Sequence, residues 1–272
     1  MPAHDAAGLD LALIQQAARD AGVIARRYFG GDYKRWDKGK GQPVTEADLA
    51  IDKFLNETLT AARPDYGWMS EESEDDPSRR KAERVFIVDP IDGTTAFLKG
   101  RPWFTIAIAI VHDGRPEQGV VYNPITEECF AASRGLGATL NGAAIHVSDC
   151  AAIENCRMLA PKDMFAHAFW STPPNTPWPP MQVETRNSIA YRMALVGAAQ
   201  FDATLALSAK HDWDLAAGDL IVEEAGGLVT DHTGAQLIYN GAVPLQRSIV
   251  AAGPKLHVLL LEKLQHLGLQ VR

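Results

Sequence analysis

Two carboxylates three residues apart, Asp89 and Asp92, with a glycine and two threonines directly behind them, are the residues of this chain best placed for chemistry. They lie in Val85-Phe86-Ile87-Val88-Asp89-Pro90-Ile91-Asp92-Gly93-Thr94-Thr95-Ala96-Phe97. Four apolar residues in a row, flanked by charge, predict a buried strand. Pro90 has no N–H for a ladder, so the strand is expected to stop at Asp89. Asp92 then falls just past the strand end, where both carboxylates can converge on one point. Gly93 lets backbone approach a ligand, and the amides of Gly93, Thr94 and Thr95 can open a helix. Oxygen ligands beside a helix N-terminus suit a hard cation and a phosphate together. Taken alone, the pair is equally well explained by an Asx-type turn closing a strand.

Other acids shift that balance. Trp213-Asp214-Leu215-Ala216-Ala217-Gly218 places Asp214 at a helix start, where capping alone contributes ~1 kcal/mol. Gly218 is locally unfavourable inside a helix, and with Ala216 and Ala217 it predicts a surface kept small for close packing. A helix that approaches the core so closely, with an acid at its tip, can complete a metal site. Glu71 and Glu72 are neighbours on an extended segment and face opposite ways, so one of them points into a site and Glu72 is assigned to the surface. Thr45 and Asp48 have capping-box spacing, which also leaves Asp48 at a site's rim.

The elements that must position these groups follow from periodicity. Residues 10 to 29 carry Leu11, Ile14, Ala18, Ala21, Ala25 and Tyr28 at helical spacing, closed by Gly30-Gly31. A connection through Lys38-Gly39-Lys40-Gly41 leads to a second helix from Thr45 to Pro64, with Ile51, Leu55, Thr58, Leu59 and Ala62 as its core stripe. Glu74 to Arg84 reads as a charged surface loop or short exposed helix. Strands follow at 104–111, 119–122 and 128–132, with tight turns at Asp113-Gly114 and Asn141-Gly142. That half, residues 1–145, is an antiparallel meander backed by helices. The second half, 146–272, alternates: strands at 156–160, 201–207 and 248–252, and helices at 188–199, 214–225 and 254–267. Between them a five-proline span from Thr172 to Met181 must be irregular, with Trp170 and Trp178 packing around it.

Composition narrows the function classes. A 272-residue chain with 46% hydrophobic and 22% charged residues has ordinary globular content and length for a large core. A net charge of -8 without a Lys/Arg cluster argues against a nucleic-acid polymer as partner. Three cysteines without C-x-x-C spacing, no leader pattern and no apolar run of membrane length predict a cytoplasmic protein with reduced thiols and no membrane partner. Gly135-Leu136-Gly137 precedes a hairpin rather than a helix, no Walker loop occurs, and the eight histidines lack ligand spacing.

Together, Glu71-Glu72, Asp89-Pro90-Ile91-Asp92-Gly93-Thr94-Thr95 with Phe97, and Trp213-Asp214-x-Ala216-Ala217-Gly218 followed by Glu224-Ala225-Gly226-Gly227 resemble the signature of the inositol monophosphatase family. The resemblance covers nearly the whole chain, including Thr45-Glu46-Ala47-Asp48. It implies a layered αβαβα sandwich, of the inositol monophosphatase and fructose-1,6-bisphosphatase type, and a homodimer. It also implies Mg²⁺-dependent, Li⁺-sensitive hydrolysis of a small phosphorylated metabolite, with two to three Mg²⁺ per site. By the same resemblance Glu71, Asp89 and the Ile91 carbonyl hold one ion, and Asp89, Asp92 and Asp214 a second. A third, weaker ion sits near Glu71. Glu71 and Thr94 orient the attacking water, and the amides of Gly93, Thr94 and Thr95 receive the phosphate. The physics agrees, because two carboxylates ~4 Å apart repel by about 4 kcal/mol at an effective dielectric near 20.

The implied reaction takes inositol 1-phosphate to inositol and phosphate. Family members that act on inositol commonly place an acid ahead of the second motif, and here Leu207-Ser208-Ala209-Lys210-His211-Asp212 has no Glu. Lys210, Arg186 and Arg192 can instead attract a second phosphate, which makes a 3'(2'),5'-bisphosphate nucleotidase the alternative, ahead of histidinol phosphatase or fructose-1,6-bisphosphatase. The D-x-x-D spacing differs from the D-x-D-G-T of haloacid dehalogenase-like phosphatases, and the complete acid set argues against an inactive binding protein.

Overall fold

Side-chain alternation along one central strand decides the layering. The computed structural model describes residues 3–37 and 43–267; the Lys38-Gly39-Lys40-Gly41 connection lies outside them. On the strand Arg84–Asp92, Phe86 and Val88 face one side and Val85 and Ile87 the other, all buried. A strand covered on both faces reads as a continuous apolar run, as Val85 to Val88 does.

That strand is second in a seven-stranded sheet ordered Gly67–Ser70, Arg84–Asp92, Thr105–His112, Arg115–Asn123, Glu128–Ser133, Gly137–Leu140 and Ala143–Ile145. The first pair is parallel and every later one antiparallel. Asp113 and Gly114 (φ 48° and 74°) and Asn141 and Gly142 (φ 50° and 83°) make the two expected tight turns. The helices Ala3–Tyr28 and Glu46–Ala62 cover one face, burying Ile14, Ala18, Ala21, Ala25, Ile51, Leu55 and Leu59 against Phe86, Val88, Ile108 and Val120. Thr58 is only half-buried and Ala62 is exposed, so the second stripe is narrower than its spacing suggested. Asp52 is buried instead.

The helices Ile189–Gly197 and Asp212–Glu224 cover the opposite face and are themselves covered by a second sheet. Its five strands run Gln182–Glu184, Arg157–Leu159, Ala203–Ala206, Ile249–Ala252 and Leu228–Thr230. Leu159, Ile249 and Ala251 face the helix pair, while Met158, Leu205 and Val250 face the final helix, Pro254–Leu264. The result is the five-layer αβαβα sandwich. Among the described residues no helix is long and apolar enough to cross a membrane.

Small residues set the middle spacing. A Cβ on Gly218 would lie 2.8 Å from Met193 Cβ, and one on Gly119 would lie 3.0 Å from the Ala217 carbonyl oxygen. The helix beginning at Asp212 therefore touches both its neighbouring helix and the sheet at backbone distance, as Ala216, Ala217 and Gly218 predicted.

Two expectations are corrected. The Glu74 to Arg84 span is not simply exposed, since its 3₁₀ turn Pro77–Lys81 buries Arg79. Arg79 pairs with Asp75 and binds the Asn240 side chain and the Gly241 carbonyl (3.1 Å), fastening this loop to a distant one. The Asp214 helix starts two residues early, at Asp212, because Asp214 caps it from the third position, accepting from His211 N (2.7 Å), while the buried Asp212 carboxylate accepts from Asn240 N (2.8 Å) and Gln246 Nε2 (2.8 Å).

Candidate metal and phosphate site

The strand carrying Asp89 does not end there, and the reason shapes the site. It continues to Asp92, but its register against the neighbouring strand goes from Asp89↔Ala107 to Asp92↔Thr105. Three residues on one strand thus match two on the other, a bulge that accommodates Pro90, which has no N–H to give. The extra residue also reverses the alternation. Asp89 and Asp92, three apart, would point to opposite faces of a regular strand. With the bulge both turn to the face carrying the middle helices, while Ile91 packs in the core on the other side.

Asp92 is fixed by the helix Ile189–Gly197: it accepts from Ser188 Oγ (2.6 Å), Ala190 N (2.6 Å) and Ile189 N (3.2 Å). Asp214 is third in its own helix and accepts from His211 N at 2.7 Å, so its capping role is real and leaves a second oxygen available. Trp213 stacks on the His211 ring with centroids 4.4 Å apart. Asp89, Asp92 and Asp214 each bring one oxygen to within 4.8 Å of the others.

Burial and mutual repulsion dominate the electrostatics of this cluster. Burial, then the charge of Glu71, then those of Asp92, Asp214 and Asp48 raise the Asp89 carboxyl well above its usual range. Burial and the Asp214 charge push Asp92 up to about 7, against the hydrogen bonds from Ser188, Ala190 and Ile189. Burial raises Asp214 as well. Asp89 Oδ1 is buried with no hydrogen-bond partner. An orphaned acceptor inside a converging all-oxygen donor set fits a hard divalent cation.

The remaining predicted residues surround this centre. Ser70 pairs with Val88 and Glu71 N donates to the Val88 carbonyl (3.3 Å), which sets Glu71 alongside Asp89. Glu72 is half-buried rather than a plain surface charge. Gly93 takes φ 97°, and a Cβ there would lie 3.0 Å from both Ser188 N and the Trp103 carbonyl oxygen. Only glycine tolerates that turn. It caps the short helix Thr94–Leu98, whose first amides to bond back to the Gly93 carbonyl are those of Ala96 and Phe97, leaving Thr94 and Thr95 ahead of the ladder.

Asp48 is the residue that sequence reading undervalued. Its Oδ2 accepts from Thr45 N (2.8 Å) and Thr45 Oγ1 (2.5 Å), closing the capping box, while Oδ1 lies 3.3 Å from Thr94 Oγ1. Thr94 Oγ1 also lies 3.1 Å from the Ile91 carbonyl oxygen. Burial raises the Asp48 carboxyl. Its spacing to Thr45 was visible; its second oxygen's partner, 46 residues away, was not. Ser188, which fixes Asp92 across 96 residues, carried no local signal either.

Arg192 and Lys210 flank the acids. Arg192 is buried, with Nη1 3.5 Å from the Leu205 carbonyl oxygen and Nε unpartnered; burial lowers it to about 10, opposed by the charges of Asp92 and Asp214. Both basic residues line a chamber of about 630 Å³ whose walls include Met164, Phe169, Trp170 and Leu207. Trp170 therefore lines a pocket and also packs on Trp178, 5.2 Å away at 80°. Arg186 is placed differently: it lies over the rings of Trp103, Tyr191 and Phe201 and pairs with Glu184.

Comparison with known proteins agrees with this geometry. The model of the inositol monophosphatase family matches residues 9–269. The chain is 35% identical over 264 residues to a protein of Pasteurella multocida named Nus factor SuhB, covering 92% of this chain and 93% of that one. It is 34% identical over 262 residues to an inositol-1-monophosphatase of Mesorhizobium japonicum, covering 90% and 96%. Among solved structures, the extragenic suppressor protein SuhB of Bartonella henselae superposes with a TM-score of 0.81 at 31% identity, over 96% of this chain and all of that one. An inositol monophosphatase of Thermotoga maritima gives 0.80 at 29%, over 94% and 96%.

Proposed function

Because the chain belongs to the inositol monophosphatase family of phosphoric monoester hydrolases, we propose that it is a Mg²⁺-dependent phosphatase of a small phosphorylated metabolite, with inositol 1-phosphate as its first candidate substrate. The observation that carries the metal dependence is the orphaned Asp89 Oδ1 inside the Asp89–Asp92–Asp214 cluster. Glu71, Asp89 and the Ile91 carbonyl would hold one Mg²⁺, and Asp89, Asp92 and Asp214 a second, with a third near Glu71. When bound, Mg²⁺ offsets the charge of the acids and of the phosphoryl group and acidifies the attacking water.

The chain's own groups do the rest. Thr94 Oγ1 donates to Asp48, which turns its lone pairs toward a water and lets Asp48 draw the proton through the hydroxyl. The raised basicity of the buried Asp48 favours that direction. Glu71 orients the same water from the other side. The amides of Gly93, Thr94 and Thr95 receive the phosphate oxygens, with Asp92, Asp214, Arg192 and Lys210 around the alcohol part of the ester. Residues 1–145 thus supply most metal ligands, and 146–272 supply Asp214 and the selecting chamber.

The chamber favours a second reading, a 3'(2'),5'-bisphosphate nucleotide. Two basic residues stand among walls that are largely apolar or aromatic, and the 207–210 stretch supplies Leu207, Ser208 and Lys210 to them but no Glu. Phosphate release from inositol 1-phosphate, 3'-phosphoadenosine 5'-phosphate, histidinol phosphate and fructose 1,6-bisphosphate, with Mg²⁺ and with or without Li⁺, separates these readings. Release from none of them overturns the proposal. The three free cysteines accord with a reducing, cytoplasmic setting. The reading includes a homodimer, for which light scattering should give twice the 29.6 kDa chain mass.

A further inference from the structure

The helix Glu46–Ala62 turns a second buried carboxylate toward the site, one turn beyond Asp48. Asp52 Oδ1 accepts from Ser70 Oγ (2.5 Å) and Oδ2 from Ser73 Oγ (2.7 Å). Ser70 is the last residue of its strand and Ser73 lies three further on, so one carboxylate grips both ends of the Ser70-Glu71-Glu72-Ser73 turn. Two more bonds tighten it: Glu72 N donates to Ser70 Oγ (3.4 Å), and Trp68 Nε1 donates to Ser73 Oγ (3.2 Å). A charged acceptor holding two hydroxyls makes strong, directional contacts. A loop needing only a stable turn would not require a buried acid from a separate helix, and burying one is costly unless both oxygens are used.

We propose that Asp52 is a positioning residue of the metal site: by holding Ser70 and Ser73 it fixes Glu71 beside Asp89 at the spacing a shared cation requires. This rests on reading the acid cluster as a Mg²⁺ site. The helix then serves the site twice, through Asp48 to Thr94 and through Asp52 to the Glu71 turn. Asp52 touches neither substrate nor metal, and its effect passes through Glu71. Groups that orient metal ligands in this way typically change metal affinity 10–100-fold.

The test is Mg²⁺ titration by calorimetry on the intact chain, with unfolding temperature in EDTA as the stability control. Asp52→Ala, and separately the Ser70→Ala/Ser73→Ala pair, should each weaken Mg²⁺ binding ~10-fold or more. The triple variant should be no weaker than Asp52→Ala, because all three changes remove one linkage. Asp52→Asn, which keeps one acceptor oxygen, should fall between. At saturating Mg²⁺ the KM for the ester should stay within about twofold of wild type, since the lesion lies in metal loading. If Asp52→Ala does not fold, the serine pair carries the test. Unchanged Mg²⁺ affinity in the folded variants, or losses that multiply in the triple variant, would overturn the role of Asp52 alone. A wild-type chain that binds no Mg²⁺ would overturn the metal site and this role together.

Discussion

Stripped of divalent metal, the protein should lose stability as pH rises through neutrality, and Mg²⁺ should restore it. Burial and the neighbouring Asp214 charge raise the Asp92 pKa from 3.8 to about 7, and Asp89 and Asp214 move in the same direction. A carboxyl raised on folding holds its proton better in the folded chain. Its stabilising contribution is full below 3.8 and is lost as pH climbs through about 7. For Asp92 the gap of about 3 pH units corresponds to about 4 kcal/mol at most. Only about two of those units lie above pH 5, or about 2.7 kcal/mol, so at roughly 2–4 °C per kcal/mol for a chain of this size the unfolding temperature should fall by about 5–11 °C between pH 5 and pH 8.5 in EDTA. Asp219 contributes outside the cluster: burial and the Glu223 charge also raise it to about 7. Asp219→Asn should remove that share and leave the metal-sensitive share intact. The assay is thermal unfolding at both pH values, in EDTA and in Mg²⁺. Equal midpoints at the two pH values in EDTA, or the same pH trend with Mg²⁺ present, would mean that the cluster carboxyls are not raised by folding or do not bind the metal.

Three further outcomes are expected. Asp92→Asn should keep the fold, because one oxygen still accepts from the Ser188 and Ala190 region, yet lower Mg²⁺-dependent phosphate release more than ~100-fold; full activity would sink the metal assignment. Thr94→Val and Asp48→Asn should each reduce kcat by about 10²–10³, and the double variant should be little worse than either, because they share one proton path. Gly218→Ala should destabilise by about 1–3 kcal/mol, read as a drop of several degrees in unfolding temperature, since its Cβ would stand 2.8 Å from Met193 Cβ.

What the sequence displayed and what it hid divide along a physical line. Val85 to Val88, the Asp113-Gly114 and Asn141-Gly142 turns and the small face of the Asp212–Glu224 helix are local signals, and each formed as expected. The motif acids Asp89, Asp92 and Asp214 are brought together by the fold, as their resemblance implied. Pro90 misled because a missing N–H predicts a strand end as readily as a bulge, and only the partner strand at Thr105–Ala107 decides between them. The pairs Lys210–His211 with Leu245–Gln246 are too short to show periodicity. Ser188 with Asp92, Asp52 with Ser70, and the anchor of Arg79 on Asn240 join distant segments, so no window of sequence contains them.

Asp89, Asp92 and Asp214 would share one divalent cation. Anomalous diffraction from a crystal soaked in Mn²⁺, an oxygen-seeking substitute for Mg²⁺, tests it directly. A strong peak bonded to all three carboxylates is expected, with Asp89 Oδ1 among its ligands. A saturating soak that leaves no peak between them, or places the ion elsewhere, would contradict it.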